Sequence, residues 1–62
     1  MNISCLIIDD EPLAVNVIKN YIEEIANVTI KKTFNNSVEA LAYLKDHTAD
    51  LIFLDINMPL LN

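Results

Sequence analysis

The chain of 62 residues has no glycine, no tryptophan, a single cysteine and only two prolines. One cysteine rules out an internal disulfide, and one cysteine with one histidine is too small a set for a structural zinc site. Both usual staples of a small domain are therefore missing. A domain of this size buries only about 60% of the surface its unfolded chain would expose, so its stability is expected to be marginal and the chain reads as an ordered piece of something larger. Basic residues are scarce as well: four against nine acidic ones give a net charge of −5 and a pI near 4.4. That balance excludes a basic nucleic-acid footprint or an anionic-membrane contact through these residues. No apolar run approaches the ~20 residues of a membrane span, and Met1-Asn2 leads directly into a strand-like run without a cationic signal region. A cytoplasmic location is the default expectation.

What is present is mostly aliphatic. Hydrophobic residues make up 53% of the chain and aromatic ones 6%, which suits an α/β interior better than disorder. Ser4 to Ile8 is a short apolar run that predicts a strand buried on both faces, ending in Asp9-Asp10-Glu11. Pro12 follows where proline best opens a helix, after carboxylates that suit a helix N-terminus. Leu13, Ala14, Val17, Ile18, Tyr21, Ile22 and Ile25 then recur with helical spacing along one apolar face. Val28 to Phe34 alternates, with Val28 and Ile30 on one side and Thr29 and Lys31 on the other, as in an edge strand. Asn35-Asn36-Ser37 predicts a turn with Ser37 as N-cap, and Ala40, Leu41 and Leu44 a second helix running to about Asp46. Leu51 to Leu54 is apolar throughout and closes on Asp55.

The order β-α-β-α-β implies a parallel sheet with right-handed crossovers. Placing the alternating strand at the edge gives the strand order 2-1-3, the start of a flavodoxin-like (CheY-like) sheet. The chain stops at Leu60-Leu61-Asn62, just after the third strand, which leaves that strand with an edge open to another chain. Self-association through the third strand is therefore expected.

In open parallel sheets, ligands gather beyond the carboxyl ends of the strands, where the strand order reverses. Here that point lies between the first and third strands, which end in Asp9-Asp10 and in Asp55. Adjacent strands lie about 4.8 Å apart, so at least two carboxylates should come within reach of one shared ion. A hard, all-oxygen environment favours Mg²⁺ over zinc. The acidic triplet alone could be no more than a favourable helix start. An acid at the end of a buried strand has no such capping role, and Asp55 is followed by Met58-Pro59, a sharp exit rather than a helix.

At these residues the chain resembles a known family. Leu6-Ile7-Ile8-Asp9-Asp10-Glu11-Pro12 and Asp50-Leu51-Ile52-Phe53-Leu54-Asp55-Ile56-Asn57-Met58-Pro59 look like the two signature segments of response-regulator receiver domains, and the intervening α-β-α pattern fits their separation. Asp10-Glu11-Pro12-Leu13-Ala14 further resembles receivers attached to LytTR-type DNA-binding domains. The resemblance implies that residues 1–62 are the N-terminal portion of a single receiver domain in two-component signalling. It implies that Asp55 accepts the phosphoryl group from a phosphohistidine on a sensor histidine kinase. Asp10 and Asp55 would bind Mg²⁺ directly, the backbone carbonyl of Asn57 would supply another ligand, and Asp9 would act through water. Such a domain promotes its own phosphorylation without being a turnover enzyme, and any DNA contact would belong to an output domain outside these residues. The family also uses a Ser or Thr at the end of a fourth strand and a Lys at the end of a fifth, for which Lys45 is no substitute.

Other readings weigh less. A phosphohydrolase of the haloacid-dehalogenase type also places an aspartate nucleophile at a strand end, but carries a second Asp two residues on, where this chain has Asn57. A flavodoxin would need hydroxyl and glycine residues in its first loop to cradle a phosphate. The remaining rival is a non-catalytic association module in which the sheet pairs with another copy. His47 is expected at a solvated helix end and Cys5 in the core. Tyr21 and Tyr43 are expected to pack with wet hydroxyls, and Lys31-Lys32 to protect a strand edge.

Overall fold

A computed structural model of the chain describes residues 1–55. Three strands and two helices alternate: β1 (Ile3–Ile8), α1 (Pro12–Glu23), β2 (Val28–Phe34), α2 (Ser37–Leu44) and β3 (Leu51–Leu54). The sheet is parallel throughout with order β2-β1-β3, as the alternation of strands and helices predicts. β1 lies in the centre, and Cys5, Leu6 and Ile7 have no exposed surface.

The two faces of β1 build two separate cores. Cys5 and Ile7 pack with Ile22 of α1, supported by Val15, Ile18, Val28, Ile30 and Phe53. Leu6 and Ile8 pack with Phe34 and Ala40, joined by Tyr43, Leu44 and Ala49 on the α2 side. Burying one such aliphatic side chain contributes on the order of 1.5–3 kcal/mol, so the strand's apolar run supplies both layers.

Strict alternation along β2 would carry Phe34 to the same side as Val28 and Ile30. The structure instead inserts one residue: Cys5 pairs with Ile30 but Leu6 pairs with Lys32, leaving Lys31 as the bulge. Pairing resumes with Ile8 beside Phe34, so Phe34 now faces α2 while Val28 and Ile30 face α1. One strand thereby serves both cores. The displaced Lys31 donates from Nζ to the Thr48 carbonyl at 2.6 Å, and Lys32 Nζ lies 5.4 Å from the centre of the Phe34 ring. Both lysines shield the outer strand, each by a specific contact.

Three expectations need correction. The second helix is capped by Asn36, not Ser37: Asn36 Oδ1 accepts from the Glu39 amide at 2.9 Å, and Asn36 Nδ2 donates to Glu39 Oε2 at 2.8 Å. This is a reciprocal cap in which the amide side chain does both jobs. That helix ends at Leu44 and is followed by turn bonds from Asp46 and His47 to the Tyr43 carbonyl. The apolar face of α1 is wider than the sheet beneath it: Val15, Ile18 and Ile22 are covered, while Leu13, Val17, Tyr21 and Ile25 stay exposed. Tyr21, at 68% exposed, is therefore no packing residue, and Ile25 lies beyond the helix end at Glu23. The open edge expected of the third strand is present: β3 pairs with β1 alone among the described residues, and Leu51, Ile52 and Leu54 are exposed.

Two local devices hold the layers in register. Ser4 donates from its amide and its hydroxyl to Asp50 Oδ2, at 2.9 and 3.2 Å, while the Asp50 amide donates to the Ser4 carbonyl at 2.9 Å. This clasp starts β3 beside β1. Asn27 takes a φ of 70°, the left-handed conformation that asparagine tolerates best after glycine, and its carbonyl accepts from the Ile3 amide at 2.6 Å. The turn into β2 is thus made without glycine.

Deleting Lys31 should remove the bulge and leave every other pairing of β2 with β1 in place, so Phe34 still faces α2 and the cooperative thermal transition followed by circular dichroism survives. Lys31→Ala keeps the residue count and should cost no more than about 1 kcal/mol, the scale of one exposed hydrogen bond. A second expectation concerns Cys5, whose burial pushes its thiol above the ordinary value. Because the folded state disfavours the thiolate, that share of stability is complete below the unfolded thiol's titration and is lost as pH rises through the folded one. Urea midpoints should therefore fall more steeply above about pH 8.5 for the native chain than for Cys5→Ala.

Candidate functional site: a carboxylate cluster at the strand ends

Parallel pairing brings the ends of β1 and β3 level. Ile8 pairs with Leu54, and the Asp55 amide donates to the Ile8 carbonyl at 3.1 Å, so Asp55 emerges beside Asp9. On the other side the Asp9 amide donates to the Phe34 carbonyl at 3.0 Å. The backbone of Asp9 is thus still part of the sheet.

Asp9, Asp10 and Asp55 each offer a carboxylate oxygen, and these three atoms lie within 4.8 Å of one another. Asp9 is buried, Asp55 half-buried and Asp10 exposed, so the cluster opens to solvent on one side. Two oxygens on opposite sides of a Mg²⁺ ion lie roughly 4.2 Å apart, twice its metal–oxygen distance of about 2.1 Å. The spacing therefore fits a small hard cation after a modest side-chain rotation, and the donor set is all oxygen.

The three predicted acids converge as the strand order required. Asn57, predicted to add a backbone carbonyl, lies outside the described residues. His47 is apart from the cluster, stacked on Tyr43 with ring centres 4.0 Å apart, with its Nδ1 3.0 Å from the Tyr43 carbonyl oxygen. Sequence reasoning missed the role of Glu11: its amide donates to Asp9 Oδ1 at 2.9 Å. An Asp two residues before a helix-opening position is the only signal that could have suggested this turn.

The family model of the response regulator receiver domain matches residues 5–62. The chain belongs to the response-regulator receiver family. Curated relatives of this receiver include a probable C4-dicarboxylate response regulator, DctR, of Bacillus subtilis, 35% identical over 87% of this chain and 24% of its own length. The sensory transduction protein LytR of Staphylococcus haemolyticus is 43% identical over 86% of this chain and 21% of that protein. The transcriptional regulatory protein BtsR of Escherichia coli is 37% identical over 92% of this chain and 24% of that protein. The receiver spans about a quarter of the length of these relatives. A solved structure of RcsB from Salmonella enterica serovar Typhimurium, bound to promoter rprA in the presence of phosphomimetic BeF3⁻, superposes with a TM-score of 0.86 at 27% identity. That match covers 95% of this chain and 29% of RcsB. The flavodoxin-like reading of the sheet is thus borne out, and no helix among the described residues is long and apolar enough to cross a membrane.

Proposed function

We propose that residues 1–62 form the N-terminal portion of a single receiver domain whose Asp55 accepts a phosphoryl group from a sensor histidine kinase. A carboxylate oxygen of Asp55 attacks phosphorus, the bond to the imidazole nitrogen of the phosphohistidine breaks, and that nitrogen keeps the electron pair. Asp10, Asp55 and the Asn57 backbone carbonyl would hold Mg²⁺, with Asp9 acting through water. When bound, the cation offsets negative charge on the transferring group, which is the main requirement of phosphoryl transfer. The chain receives and holds the group without turnover, in the cytoplasm, and an output domain beyond these residues, of the DNA-binding LytTR type, would convert its state into transcription. Net negative charge makes this segment itself unsuited to nucleic acid.

The observation that carries this reading is the convergence of the three carboxylates within 4.8 Å at the ends of β1 and β3. Asn57, where haloacid-dehalogenase-like phosphohydrolases have a second Asp, argues against a hydrolase. The test is a titration with Mg²⁺ and beryllofluoride followed by amide NMR. Shifts are expected at Asp10, Asp55 and Asn57, and Asp55→Asn should abolish the beryllofluoride response. Silence at all three positions would remove the acceptor reading.

A second reading rests on a separate observation, the exposure of Leu51, Ile52 and Leu54 along β3. Pairing of this edge with a second copy would cover it and make the chain an association module as well as a receiver. Sedimentation should then show a dimer that Ile52→Lys converts to monomer, and a monomer at all concentrations would sink this part.

A further inference from the structure

The metal reading leaves Asp9 with an indirect part, yet it is the most buried acid of the cluster, at 7% exposed. Burying a carboxylate is unfavourable unless its oxygens find donors, and Asp9 Oδ1 has one in the Glu11 amide at 2.9 Å. Asp10 sits between these two partners. Its preceding residue is tied to the sheet by the bond from the Asp9 amide to the Phe34 carbonyl at 3.0 Å. Its following residue is the N-cap of α1, whose carbonyl accepts the first helical bond from the Val15 amide at 3.1 Å. Glu11 makes no capping bond with its own side chain. The Asp9 carboxylate therefore closes the turn between strand and helix where, among the described residues, the Asp10 backbone is bonded to neither.

Building on the metal reading above, we infer that Asp9 is a positioning residue: its Oδ1 holds the Glu11 amide and so fixes the backbone on both sides of Asp10, presenting the Asp10 carboxylate to the cation. The bond to Glu11, more than the charge of Asp9, sets cation affinity. Asp9 Oδ2 stays available for a cation-bound water. The inference separates two properties of one side chain that ordinary substitution to alanine removes together.

The experiment compares Asp9→Asn, which keeps an acceptor in the same place without charge, with Asp9→Glu, which keeps the charge and moves the acceptor. The full chain and both variants are titrated with MgCl₂ and followed by amide NMR at Asp10, Glu11 and Asp55, with the Ile7 and Phe34 amides reporting an intact sheet. Asp9→Asn is expected to bind Mg²⁺ about fivefold more tightly than Asp9→Glu, the effect of roughly one hydrogen bond. In metal-free buffer the Glu11 amide should exchange slowly in the native chain and Asp9→Asn, and faster in Asp9→Glu. Equal affinities, or tighter binding by Asp9→Glu, would overturn the positioning role while leaving the metal site standing. No Mg²⁺ response in the unsubstituted chain would overturn the metal reading and this role together.

Discussion

Burial of β1 on both faces is the constraint from which the other elements take their positions. Its residues alternate between two cores, so each crossover helix must cover a different face, and β2, the neighbour that serves both, must turn apolar side chains to each. β2 meets this demand only through the bulge at Lys31, which changes the side that its later residues face. Were Lys31 kept in strict alternation instead of bulged out, Phe34 would sit over α1, and the α2 core would lose its one buried aromatic side chain. The constraint also sets the limit of the packing: the outer side of β3 and half of the apolar face of α1 have no cover among the described residues.

The same strand places the chemistry. Where the buried run of β1 ends, its next two residues are acids, and the parallel pairing with β3 delivers Asp55 to the same level. Parallel strands end together at one edge of the sheet, so acids from distant parts of the chain meet through the pairing of β1 with β3. The site depends on backbone ladders first and on side-chain orientation second. Asp9 belongs to both: its amide extends the ladder to Phe34 while its carboxylate bonds the loop that carries Asp10.

Small polar residues do the work that glycine does elsewhere. Asn27 supplies the left-handed turn before β2, Asn36 caps α2 through both ends of its amide, and Asp50 clasps Ser4 at the start of β3. Each satisfies backbone or side-chain donors that would otherwise face water or an apolar neighbour. In a chain without disulfide or metal staple, such bonds of about 1 kcal/mol each are a sizeable fraction of the total stability.

By itself the sequence determined the element order, the spans of β2 and β3, the strand order and the acids of the site. These follow from local periodicity and from the rule that apolar strands go to the middle, both of which are written in neighbouring residues. Receiver membership was legible for the same reason, because its signature segments are continuous stretches ending at the strand tips. Only the tertiary structure decided which side Phe34 faces, that Asn36 rather than Ser37 caps α2, and that the Glu11 amide turns back onto Asp9. A bulge is a matter of register between two strands, and a cap or turn bond depends on a side-chain rotation. Neither quantity is a property of one stretch of sequence, since each is settled by what the neighbouring element leaves free.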